Sequence, residues 1–251
     1  MIRAGSLAAA ILLAAAPLMP ALADPPQAAL TVPQKAEIDQ MIHDYLMNHP
    51  DVLAQAIAHA EDDAKATDAA AQSKLIAAHK EDLERDPASP VLGDPNGDVT
   101  LVEFFDYRCP YCRASAPSVR ALLKSDPRLR LVLKEFPILG ADSVYASRVA
   151  LVAQRHGKYQ AFFDAMWAAK DKPGQDAVLR IAKSVGLDPD SVKKEMESPE
   201  IDQMLKRNFD LAQTLKFDGT PTFVIGTTAF PGATSIDDLR ARIAAIRKGD
   251  G

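Results

Sequence analysis

Cys109 and Cys112 are the only cysteines in 251 residues, and their Cys-x-x-Cys spacing limits the chemistry open to them. Structural zinc needs four ligands, and the sequence has no second such pair. Haem attachment needs histidine directly after the second cysteine, where Arg113 stands. The histidines, at positions 43, 49, 59, 79 and 156, all lie away from the pair in sequence. A static disulfide across a two-residue loop would constrain the unfolded chain little. What remains is reversible thiol–disulfide exchange or capture of a soft ion such as Cu(I). The context, an apolar strand running straight into a helix, favours exchange.

The strand is read at Val99 to Phe105, and the helix begins at Cys109. Unpaired N–H groups and the helix dipole favour an anion at a helix start. Cys109 is therefore the expected attacking thiolate and better leaving group, with Arg108 and Arg113 adding positive charge beside it. Cys112, one turn further in, is the expected resolving thiol. Glu103 alternates in phase with Leu101 and Phe105, so it points to their side of the strand. A carboxylate there is costly unless it is neutralised or hydrated. Glu103 reads as one half of an ion pair with a base such as Lys134 on the neighbouring strand and as proton donor and acceptor for the inner thiol, two roles that are compatible.

Further elements must hold these residues. Leu129 to Phe136 reads as a second strand ended by Pro137, and Pro221 to Ile225 as a third. A short Thr227-to-Phe230 segment follows, and a last helix starts at Ser235. Between the second and third strands no strand signal appears. Asp142, Gly157, Gly186 and Ser198-Pro199-Glu200 instead punctuate helices, giving an insertion at about 142–216. The expected class is α/β with an inserted all-helical subdomain, over residues 87–251.

The first part of the chain differs in character. Residues 1–23 read as an export signal, with Arg3, an apolar run from Leu7 to Leu18 and cleavage after Ala23. No later stretch reaches the ~20 apolar residues of a membrane span. Residues 24–86 read as a helical arm. Within it, positions 33–86 hold 12 acidic and 5 basic side chains, whereas 87–251 hold 21 and 23. The shift falls at the turn-rich Asp86-Pro87-Ala88-Ser89-Pro90. In the arm Ile38, Met41, Ile42, Tyr45 and Leu46 recur at helical spacing, and Pro50 opens a second helix carrying Val52, Leu53 and Ile57. That stripe either folds back on the rest of the chain or packs against copies of itself; the second is the expectation. The net charge of −5 argues against a nucleic-acid binder, and 47% apolar residues exclude a disordered chain.

Glu103-Phe104-Phe105, Cys109-Pro110-Tyr111-Cys112, Pro117 and Thr220-Pro221-Thr222-Phe223 together resemble the thioredoxin fold in its disulfide-forming, DsbA-like version. The resemblance covers most of residues 90–248. It implies that Pro221 is cis beside the cysteines and that the backbone at Thr220 is free to pair with a client peptide. It also implies that Pro110 and Tyr111 meet that client and that Pro117 marks a kink. With the acidic arm included, the chain is similar to the suppressor-of-copper-sensitivity protein C group of periplasmic proteins. Some of that group are trimers held by the arm and act as isomerases, while others are monomeric oxidases or copper-tolerance factors. Tyr111 departs from the histidine of strongly oxidising members, and Thr220 before Pro221 resembles the isomerases. The resemblance thus implies a periplasmic disulfide isomerase or reductase without a resident cofactor. Its partners would be exported proteins with cysteines, a membrane redox protein and copies of itself, a trimer among the options. A DsbA-type oxidase and a Cu(I) carrier using Cys109 and Cys112 stay open as alternatives.

Overall fold

A computed structural model describes residues 30–249 except 171, so the expected export signal lies outside the described residues. The chain divides into two units, the first ending at His59 and the second starting at Ala60. In the first unit, helix α1 (Val32–Asn48) starts with Pro33 in its first turn. The Thr31 backbone N–H donates to Gln34 Oε1 at 3.0 Å, which fixes that start. Its apolar stripe, Met41, Ile42, Tyr45 and Leu46, is exposed on the single chain, as are Leu53 and Ile57 in the opening turns of α2 (Pro50–Ala78).

The second unit is built on a five-stranded sheet in the order β1-β3-β2-β4-β5. The strands are β1 (Val91–Gly93), β2 (Val99–Phe105), β3 (Leu129–Glu135), β4 (Thr222–Ile225) and β5 (Thr228–Pro231). β2 and β3 run parallel, and every other pairing is antiparallel. Helix α4 (Pro110–Ser125) makes the crossover from β2 to β3, the long helical connection a parallel pair requires. Helices α5 (Ala141–Arg155), α6 (Tyr159–Ala168), α7 (Gln175–Ser184), α8 (Pro189–Glu195) and α9 (Pro199–Thr214) come between β3 and β4, and α10 (Ile236–Lys248) closes the chain.

Both faces of the central strands are covered, which is why every residue of β2 and β3 is buried. One face carries Leu101, Phe105, Leu131, Leu133, Phe223 and Ile225 into the larger core, with Val119 and Leu122 of α4 and Leu239 and Ile243 of α10. The other carries Val102, Phe104, Val132 and Val224 against Leu211 of α9 and Leu215 and Phe217 beyond it. Ile76 at the end of α2 and Leu83 in α3 (Lys80–Glu84) belong to this second core. The unit boundary therefore falls N-terminal to the charge shift at Asp86: apolar side chains on both sides of His79 are anchored on the sheet. The α/β architecture with inserted helices and a helical N-terminal region is what the residue pattern indicated, and its thioredoxin-like form is what the resemblance implied. β1 was not anticipated; three residues are too few to show an alternation.

Candidate active site

Asp106, directly after β2, organises the approach to the cysteines. Its carboxyl is fully buried and accepts three backbone N–H groups: Arg108 at 2.8 Å, Ile138 at 2.9 Å and Leu139 at 3.0 Å. Its carbonyl accepts the Cys109 N–H at 3.0 Å. The turn leading into α4 is thus tied to the loop that follows β3. Asp106→Ala would take the acceptor from three partly buried N–H groups, so we expect a loss of roughly 2 kcal/mol in chemical denaturation. Urea midpoints of the two reduced proteins check it.

Cys109 is the N-cap of α4, with Pro110 in its first turn. It is 4% exposed and Cys112 is not exposed at all. Both are free thiols in this structure. The Cys109 thiol donates to the Thr220 carbonyl at 3.0 Å. The Thr220–Pro221 bond is cis. Two sequence-distant segments, 109–112 and 220–221, thereby share one site. In the dithiol form one lone pair of the Thr220 carbonyl is thus taken by the Cys109 thiol. Pro110 and Tyr111 lie on the open side of the first turn, Tyr111 being 63% exposed. The flanking arginines are already engaged. Arg108 pairs with Asp142 at 3.1 Å, and Arg113 donates to the carbonyls of Trp167 and Ala169 at 3.3 and 2.8 Å.

Glu103 projects from β2 on the face that also holds Cys112. It is 3% exposed and no described residue hydrogen-bonds to its carboxyl. Burial, with the charge of Glu135 added, pushes it up to about 8. Burial, and then the field of Glu103, pushes the Cys112 thiol well above its ordinary range. The ion pair with Lys134 is not what forms. In the parallel register Glu103 stands opposite Leu133, and Lys134 stands opposite Phe104. Lys134 therefore points to the opposite face, where it donates to the Asp82 carbonyl at 2.6 Å and the Ser89 hydroxyl at 2.7 Å, with Asp86 at 3.5 Å.

Sequence reasoning passed over Glu135. Two residues beyond Leu133, it shares the Glu103 face and is fully buried. The hydroxyls of Tyr159 at 2.7 Å and Tyr107 at 3.4 Å donate to its Oε1, and that of Ser147 at 2.6 Å donates to Oε2. Tyr107 in turn packs among Phe105, Phe162, Phe163 and Trp167. The phase argument that singled out Glu103 applies equally to Glu135, whose place in an apolar strand was the available signal. Among the described residues no group of three or more His, Cys, Asp or Glu side chains is arranged to hold a metal ion.

Residues 100–244 match the DSBA-like thioredoxin domain family, and residues 34–66 match the copper resistance protein ScsC N-terminal domain. A solved thioredoxin-like oxidoreductase from Silicibacter pomeroyi is 45% identical, with a TM-score of 0.65, covering 67% of this chain and 97% of its own. Proteus mirabilis ScsC in a transitional conformation is 29% identical, with a TM-score of 0.62, covering 86% of this chain and 96% of its own. The probable disulfide bond formation protein D of Bacillus anthracis is 30% identical over 58% of this chain and 73% of its own length. A sodium/proton antiporter of Salinispora tropica also matches, at 28% identity, but only 24% of its length is spanned.

Proposed function

Because the chain belongs to the family of DSBA-like thioredoxin domains, we propose that it is a thiol–disulfide oxidoreductase working on exported proteins, as isomerase or reductase rather than as primary oxidase. The observation that carries this reading is the graded pair: Cys109 at a helix N-terminus, and Cys112 one turn below it beside a buried carboxyl. The Cys109 thiolate attacks a client disulfide, forming a mixed disulfide and releasing a client thiolate. A client thiol then displaces Cys109, which reshuffles the client. In the other branch Cys112 gives its proton to Glu103 and attacks Cys109, closing the internal disulfide and releasing the client reduced. Glu103 holds that proton where no water-exposed base reaches. Tyr111 and the Thr220 carbonyl border the place where a client peptide would lie.

Recovery of activity from a scrambled multi-disulfide protein tests the direction. The reduced protein should speed recovery, and Cys109→Ser should not. Equal recovery by both would overturn isomerase.

The compartment follows from the same reading. Among the described residues no helix is long and apolar enough to cross a membrane, and a solved relative from Salmonella enterica is a periplasmic thioredoxin-like protein. The periplasm, with a membrane protein that resets the cysteines, is the setting proposed. The exposed stripe on α1 and early α2 is proposed to join copies of the chain, so that several cysteine pairs surround one client. Solution mass should show an oligomer for residues 24–251 and a monomer for residues 60–251. A monomer in both cases would sink the stalk.

The match of residues 34–66 to a copper-resistance domain supports a second reading, Cu(I) held by the two thiolates. Titration against a competing chelator should then give an affinity that either Cys→Ser change destroys. Binding indifferent to both changes would end this idea.

A further inference from the structure

Glu103 of β2 and Glu135 of β3 are the two carboxyls that the central strands bury on the cysteine side of the sheet, and they are treated differently by their surroundings. Glu135 receives three hydroxyl donors, from Tyr107, Tyr159 and Ser147. Glu103 receives none from any described residue, so its charged form has nothing to replace the lost water. Hydrogen bonds that end on a carboxylate favour the charged form. Of the pair, Glu135 is therefore the group that ionises first. Its charge then acts on Glu103, whereas Glu135 itself is raised by burial and the nearby Asp106 and is pulled back by its three donors.

We propose that Glu135 is a positioning residue: its hydroxyl-bound carboxylate keeps the last proton of the pair on Glu103, loading Glu103 as the proton store for Cys112. This rests on the exchange reaction proposed above. When a client thiolate attacks Cys109 of the internal disulfide, the new S–S bond forms as the Cys109–Cys112 bond breaks. The electron pair goes to Cys112 Sγ, which takes the Glu103 proton and leaves Glu103 as a carboxylate. In the reverse step Cys112 returns that proton to Glu103 as its sulfur attacks the mixed disulfide and the client thiolate departs. Glu135 touches no reacting atom; it sets which carboxyl carries the proton.

The groups around the pair are few. From α4 come Cys112 and, beyond it, Cys109; from the loop after β2 come Asp106 and Tyr107; from α6 comes Tyr159. Ser147 of α5 and the Asn208 amide of α9, which donates to the Glu135 carbonyl at 3.1 Å, are uncharged. No cation acts on Glu103, and Lys134 faces away to its own partners.

Carboxyl NMR of the reduced full chain, labelled at glutamate, reads the proton directly, with Glu103 assigned by its disappearance in Glu103→Gln. In Glu135→Gln the Glu103 midpoint should fall by about one pH unit or more, because a like charge has gone. The rise of the resolving rate with pH should move down by the same amount. Glu135→Asp, which keeps the charge, should restore both. An unmoved midpoint in Glu135→Gln, or an equal shift in Gln and Asp variants, would overturn the proposal. If Glu135→Gln does not fold, Tyr159→Phe and Ser147→Ala remove donors singly, and each should lower the Glu103 midpoint; no change in either would overturn it too. The titration uses no client. Loss of client exchange with an intact titration would therefore sink the proposed function and leave the proton assignment standing.

Discussion

Cys109→Ser is expected to lower thiol–disulfide exchange by about 10³-fold or more, since a nucleophile removed outright leaves no partial substitute. Cys112→Ser should behave differently and more informatively. The first attack needs only Cys109, at the edge of the site, whereas Cys112 is wholly buried. The serine variant should therefore still engage clients but lack the thiol that resolves the mixed disulfide. Covalent complexes should accumulate, visible as reducible high-mass species on a gel run after thiol blocking. If instead Cys112→Ser is as unreactive as Cys109→Ser, the assignment of outer nucleophile and inner resolver is wrong. A pure reshuffling reaction, in which a client thiol displaces Cys109, would leave that variant part of its isomerase activity.

The second large effect is on stability. Glu103 has an ordinary value of 4.5 and is pushed to about 8 in the fold. The native state then holds its proton more tightly than the unfolded chain does, so stability falls as pH rises between those values. Below about pH 4.5 the group costs nothing; by pH 7 the cost is on the order of 3 kcal/mol. Glu103→Gln, which stays neutral, should be more stable than the natural chain at pH 7 and indistinguishable from it near pH 4. Denaturant midpoints of the reduced proteins across that range decide the matter. Parallel curves would show that Glu103 does not hold a buried proton.

Much of this site was legible in the residues. VTLVEFF announced a strand, Cys-x-x-Cys announced exchange, and the phase of Glu103 placed a carboxyl among apolar neighbours. What was not legible depends on register and on distant contacts. Lys134 was a fair partner for Glu103 in composition, but a one-residue offset between β2 and β3 turns it to the opposite face. Glu135 stands in β3 with no local sign of a partner. Its donors Tyr107, Ser147 and Tyr159 come from three separate segments, and nothing local links them. The role of Asp106 was not legible, because two of its three amide partners lie in a loop 32 and 33 residues further on. The helical arm was visible as a stripe, but Ile76 and Leu83 carry no mark that assigns them to the sheet rather than to the arm.

The sheet's margins bear on how a protein with the proposed activity would survive the chains it handles. Unfolded chains carry segments ready to add themselves to any open strand, and an enzyme that handles them is exposed to templated aggregation. Here the outer strands are β1, three residues long, and β5, four residues ending in Pro231, which has no N–H to offer. The long strands β2 and β3 sit inside and are paired along both sides. In the proposed reaction a client would be held by a sulfur bond that is broken again, while the backbone surface that would keep it permanently is reduced to a few residues at either side.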